Sequence, residues 1–175
     1  MGNESGKSIV ILLIMTILII IGASVIINYA KEMKEETKAQ DLRTNMLLVQ
    51  AEAKKGLEQV CFQTVNLKEN KEEDLTKINT AKQENLVGTK LDSAPAAVQQ
   101  ASKNVTNFTF DENCYYLYEE TLKQMGIKDI NESEDGYIIV QYNFSNADVE
   151  VINTKGYNGN YTLTQIIKTT DEGQS

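Results

Sequence analysis

The stretch LRTNMLLVQAEAKKGLEQV, Leu42 to Val60, decides the fold. Its apolar residues Leu42, Met46, Val49, Ala53, Leu57 and Val60 recur at spacings of three and four, which sets them on one face of an α-helix. A stripe of this kind is stable only when something covers it, so the rest of the chain must supply a surface. From Asn28 to Leu67 there is no proline, and Gly56 is the single glycine; Ala, Glu, Lys, Gln and Leu, all good helix formers, dominate. The pattern predicts an amphipathic helix over 29–67. Its first turns, KEMKEETK from Lys31 to Lys38, carry charge nearly all round, with Lys31 and Glu35 four apart, and read as a face standing in solvent or against neighbouring copies.

Working toward the amino end, the run IVILLIMTILIIIGASVII, Ile9 to Ile27, has no charged residue and fourteen Ile, Leu or Val side chains. A helix of about 20 apolar residues spans the roughly 30 Å hydrocarbon layer of a bilayer. At about −0.3 to −0.6 kcal/mol per residue, such a run favours insertion by about 4–8 kcal/mol before its small polar residues are counted. The reading is a transmembrane helix over 7–28 that continues unbroken into the amphipathic one. A cleaved secretory signal is the competing reading, since Gly22-Ala23-Ser24 follows thirteen apolar positions. Cleavage there would leave Val25, Ile26 and Ile27 exposed at the new terminus.

Composition narrows the function classes. The chain has 175 residues and a formal charge of −8, enough for one modest domain beside an anchor. Net negative charge with no basic cluster argues against nucleic acid as a partner. There is no histidine, which removes the commonest general base, the His-dependent triads and the usual zinc ligand together. The expectation is a protein that is not an enzyme and takes no cofactor or metal.

Working toward the carboxyl end, 68–110 reads as a variable connection. NLKENKEEDLTKINTAKQEN is polar with few core positions, LVGTKLDSAP is a short apolar touch-down around Gly88, and Ala96 to Lys103 suits two helical turns. In 111–175 the signals sharpen. CYYLYEETLKQMGIKDI sets Leu122 and Met125 on one helical face, and Gly126 stands where a left-handed cap ends a helix. Tyr137 to Tyr142 and Val149 to Thr154 are β-rich and joined by NFSNAD, which predicts an antiparallel hairpin; Tyr161 to Ile167 reads as a third strand, with a short terminal helix as the alternative. The sheet would then offer Ile138 and Val140, or their alternates, to the stripe of the long helix.

Two cysteines are present, Cys61 near the end of the long helix and Cys114 near the start of the carboxyl-terminal module. A disulfide between them would pin helix to sheet and stabilise by about 4 kcal/mol in the entropic account; two unpaired thiols is the other reading, and neither cysteine has a CxxC neighbour. Asn131 to Gly136, NESEDG, is read as a solvated turn; calcium is the weaker alternative, because the spacing fits no EF-hand.

A short polar leader ending in glycine, an apolar helix, its amphipathic continuation, a variable loop and a terminal antiparallel sheet together resemble type IV pilins and the pseudopilins of type II secretion. YYLYEETLKQMGI, GYIIVQY and VEVINTKGY also look like the carboxyl-terminal part of pilin-like proteins of Gram-positive bacteria. The resemblance implies a leader over 1–6, cut by a prepilin peptidase after Gly6 so that Lys7 becomes the amino terminus. It further implies an α+β pilin-like fold, a single-pass location in the cell membrane with the carboxyl-terminal domain outside the cytoplasm, and partners in the lipid bilayer and in other pilin-like subunits through the amino-terminal helix. The orientation is taken from the resemblance, because the positive-inside rule points the other way: Lys7 alone flanks one side, while Lys31, Lys34, Lys38 and Arg43 flank the other, interleaved with Glu32, Glu35, Glu36 and Asp41. Lys7 and Ile11 depart from the aromatic and glutamate usual at the first and fifth mature positions. A membrane carboxylate of that kind offsets a neighbour's buried amino terminus, so Ile11 points to a minor or initiating subunit. The alternative class is a tethered extracytoplasmic binding protein, an adhesin or sensor ectodomain that does not polymerise.

Overall fold

The computed structural model describes residues 36–127 and 131–172. Two compact units divide the chain, Met1–Gln40 and Asp41–Ser175. In the first, 36–40 are helical; Gly6, Lys7 and the run Ile9 to Ile27 lie outside the described residues. Among the described residues no helix is long and apolar enough to cross a membrane.

The larger unit is α+β, a long helix on a five-stranded antiparallel sheet. Its helix α1 covers 41–64, ending at the start of the polar connection. Met46, Val49, Ala53, Leu57 and Val60 are all buried, with Leu42 packed at their edge, so the three-and-four stripe faces the core as its spacing requires. What covers it is a meander of β1 (Thr89–Lys90), β2 (Cys114–Leu117), β3 (Ile138–Asn143), β4 (Asp148–Tyr157) and β5 (Asn160–Thr162), side by side in chain order. Register sets the faces. Tyr115, Val140 and Val151 stand in one row across β2, β3 and β4, and all three join the α1 cluster. One residue along each strand, Tyr116, Ile139 and Ile152 form the neighbouring row and point to the far side, as the period of two demands.

The far side has its own cover. Ala94, Val98 and Val105, with Phe108 and Phe110 at the margin, bury that second row. They come from the single-turn 3₁₀ helix Leu91–Ser93, from α3 (Ala96–Ser102) and from the chain that follows. The sheet is therefore buried on both faces, and 86–110 is a third layer as well as a connection.

One expectation is corrected here and two are sharpened, the last toward the terminal helix expected as its alternative. The polar stretch in 68–85 forms α2 (Glu72–Asn85), fourteen residues long, of which only Ile78 and Ala81 are buried; one buried flank left little apolar period to see. CYYL is strand β2, and only the residues after it form α4 (Glu119–Gln124). Tyr161 to Ile167 is a strand for two residues and then a helix, α6 (Leu163–Glu172), because Leu163 and Ile166, three apart, both enter the α1 cluster. Other expectations hold. The β3–β4 hairpin forms with Asn143 opposite Asp148. Gly126 ends α4 at φ 86°, with Ile127 N–H on the Leu122 carbonyl and Gly126 N–H on that of Lys123, both at 3.0 Å. That is a Schellman cap, completed by apolar Leu122 and Ile127 in the same cluster.

Gly56 is explained by packing. A β-carbon there would run into the Asn85 carbonyl oxygen, so the last turn of α2 crosses α1 where α1 has no side chain.

Candidate interaction surface

The carboxyl-terminal end of α1, the flank of α2 and the tips of β2 and β3 enclose an open groove of about 790 Å³. Its floor is apolar, from Val60, Ile78 and Tyr142, and its rim carries Glu69, Asp111 and Glu112. Lys82 projects from α2 with its ammonium 4.3 Å from the centre of the Phe144 ring, so the cation is held against an aromatic face. Tyr142 is buried in the floor; its hydroxyl donates to the Val87 carbonyl and accepts from the Val87 N–H, each at 3.1 Å. Burial keeps that phenol protonated well above the ordinary tyrosine range. It is a structural tie from β3 to the chain after α2.

Cys61 and Cys114 are not joined. Cys61 lines the groove, half-buried beside the α1 cluster, while Cys114 is buried in the cluster on the far face of the sheet. Alternation along β2 explains the failure of the expected bridge: Tyr115 takes the helix side, so Cys114 must take the other. The Cys114 thiol donates to Asp111 Oδ1 at 3.5 Å, and burial pushes its pKa up to about 12. A thiol so far from ionising is a poor nucleophile and a poor metal ligand near neutral pH.

The acidic turn is held from within. In α5 (Glu132–Asp135) Glu132 Oε1 accepts the Tyr116 hydroxyl at 2.7 Å, and Asp135 Oδ2 accepts the Asn131 N–H at 2.9 Å. Burial first, and the hydrogen bond to Glu132 second, raise the Tyr116 pKa. Among the described residues no group of three or more His, Cys, Asp or Glu is arranged to hold a metal ion. Asn153, which nothing in the sequence singled out, anchors this turn: it is buried, its Nδ2 donates to the Asp135 carbonyl at 2.9 Å, and its Oδ1 accepts from Lys155 N and Gly156 N at 3.0 and 2.7 Å. Its only sequence signal was a polar residue in the middle of a β-rich run.

A second surface lies on α1 itself. Opposite the buried stripe, Phe62 is 83% and Leu48 45% exposed, and Val65, in the turn after α1, is 74% exposed at the edge of the groove. No family model matches the chain, and no curated protein or solved structure matches it.

Proposed function

We propose that this chain is a pilin-like structural subunit or minor pseudopilin of a type IV pilus or type II secretion-like filament. It is held in the cell membrane by Ile9 to Ile27 and displays its α+β unit outside the cytoplasm. One observation carries the reading: an amphipathic helix whose longer apolar stripe is roofed by an antiparallel meander, in a chain where an uncharged apolar run precedes that helix. Such a chain works by packing, and the reading assigns it no catalytic residue. Ile11 in place of a membrane carboxylate suits a minor subunit better than a repeating one. The acid-rimmed groove favours the second reading, a tethered binding protein that does not assemble.

Mass spectrometry of the amino terminus, on protein taken from its own membrane, separates the two. A chain beginning at Lys7 is the expected result. An intact Met1 would favour the tether, and a chain beginning at Val25 would mean a released protein and overturn both.

A further inference from the structure

The groove at the end of α1 is charged as well as apolar. Among the described residues that line it, Glu69, Asp111 and Glu112 are anionic and Lys82 is the single cation. The three acidic residues are exposed, and among the described residues no salt bridge involves any of them or Lys82. A rim with uncompensated negative charge above a low-dielectric floor repels phosphates and carboxylates and draws in cations.

The groove already holds one cation. The Lys82 ammonium, on α2, lies 4.3 Å from the centre of the Phe144 ring, in the turn after β3, so the chain's own side chain occupies an aromatic face between the two walls. Below it the floor offers no spare hydrogen-bonding group: Val60 and Ile78 are aliphatic, and the Tyr142 hydroxyl is bonded to Val87, leaving its ring. The apolar surface runs on past the floor to Val65, 74% exposed at the edge. A volume of about 790 Å³ lies within the roughly 300–1,000 Å³ range of organic-ligand sites and is far more than a single ion fills.

We infer that this groove binds a cationic segment of a partner polypeptide, with one apolar side chain on the floor and lysine or arginine side chains to either side of it against Glu69, Asp111 and Glu112. An open trough whose apolar surface continues to Val65 suits an extended chain, whereas a compact organic cation would leave that edge uncovered. Lys82 is then a competitor, because an arriving cation must displace it from the Phe144 ring or stop short of the ring. Every residue involved belongs to the unit Asp41–Ser175. The inference therefore serves an assembling subunit and a tethered one alike, and it can fail independently of the amino-terminal measurement.

Cys61, half-buried in the groove, is the reporter. The full chain in detergent micelles is alkylated with iodoacetamide, and the rate at Cys61 is followed by mass spectrometry; Cys114, buried, stays unmodified as long as the fold is intact. The probe is a pentapeptide, blocked at both ends, with one leucine between two pairs of lysines, and its counterpart has glutamates for the lysines. The lysine peptide should slow Cys61 alkylation saturably, and the glutamate peptide should leave the rate unchanged. Asp111→Asn with Glu112→Gln should raise the half-protecting concentration about five-fold, the scale of two exposed ion pairs lost; Asn keeps a carbonyl oxygen for the Asn113 N–H and the Cys114 thiol, so the loop is retained. Lys82→Ala should lower that concentration about three-fold, since it frees the ring and removes a like charge, whereas a Lys82 that only braces the groove would give the opposite sign. Equal protection by the glutamate peptide, no protection by the lysine peptide while iodoacetamide still reaches Cys61, or a half-protecting concentration unmoved by the acid-to-amide exchange would each overturn the proposal. So would protection without peptide that grows with protein concentration or with added zwitterionic vesicles, which would make a second copy or a lipid surface the occupant.

Discussion

The two faces of α1 carry similar side chains and meet different fates. Met46, Val49, Ala53, Leu57 and Val60 are buried, while Leu48, Ala51 and Phe62 stand exposed on the other side of the same turns. The difference lies in what interrupts each stripe. The buried face runs from Leu42 to Val60 without a charge, so one continuous sheet can cover it; the exposed face has Lys55 and Glu58 at its centre, and covering them with that sheet would strand both charges. A sheet fits the first stripe and not the second.

The sharpest way to break this comparison is to truncate both sides. Leu57→Ala should cost about 2–5 kcal/mol, the range for emptying a fully buried leucine site, read as a lowered denaturation midpoint with an unchanged slope. Asn153→Ala comes next: it leaves the Asp135 carbonyl and the Lys155 and Gly156 N–H groups without their partner, a loss of about 1–3 kcal/mol. The same unfolding curves report it, and rescue by Asp should be incomplete, because only the amide can donate to the Asp135 carbonyl.

Gly56→Ala sets two effects in opposition. A helical alanine gains about 0.5–1 kcal/mol over glycine, whereas its methyl must push back the Asn85 carbonyl at a cost of about 1–3 kcal/mol. The net result is a modest fall in Tm. A rise would mean that α2 yields easily and does not pin α1. Phe62→Ser, on the exposed face, should change stability by less than about 0.5 kcal/mol on the same unfolding curves.

Alkali probes the buried side alone. Cys114, Tyr115, Tyr116 and Tyr142 all hold their protons more tightly folded than unfolded, chiefly through burial. Raised acid pKa values mean that the unfolded chain loses protons first, so their contribution is fully present below about pH 9 and is lost as pH rises toward about 12. Unfolding curves should therefore be flat up to pH 9 and fall beyond it, and Cys114→Ala should delay the start of the fall. A curve already declining at pH 7 would point to other groups.

How much of this was legible varies with how each element is buried. The α1 stripe, the β3–β4 hairpin and the Gly126 cap could be read because each rests on a local rule: a spacing, an alternation, a left-handed backbone. Strand β2 could not, since four consecutive buried residues, CYYL, have no alternation to distinguish strand from helix. Helix α2 was hidden because two buried residues in fourteen make no stripe. The groove and Asn153 were out of reach for a different reason, being assembled from segments far apart in the chain.

By itself, the order of residues determined the period of α1 and of the β3–β4 hairpin, the apolar run before α1 and the absence of histidine, because these are read along the chain alone. The tertiary structure alone decided that the sheet is buried on both faces, that Cys61 and Cys114 lie on opposite sides of it, and that one α1 stripe is covered while the other is not. Each of those depends on which distant surface arrives, and for Cys114 a one-residue change of register along β2 would have turned it to the α1 side.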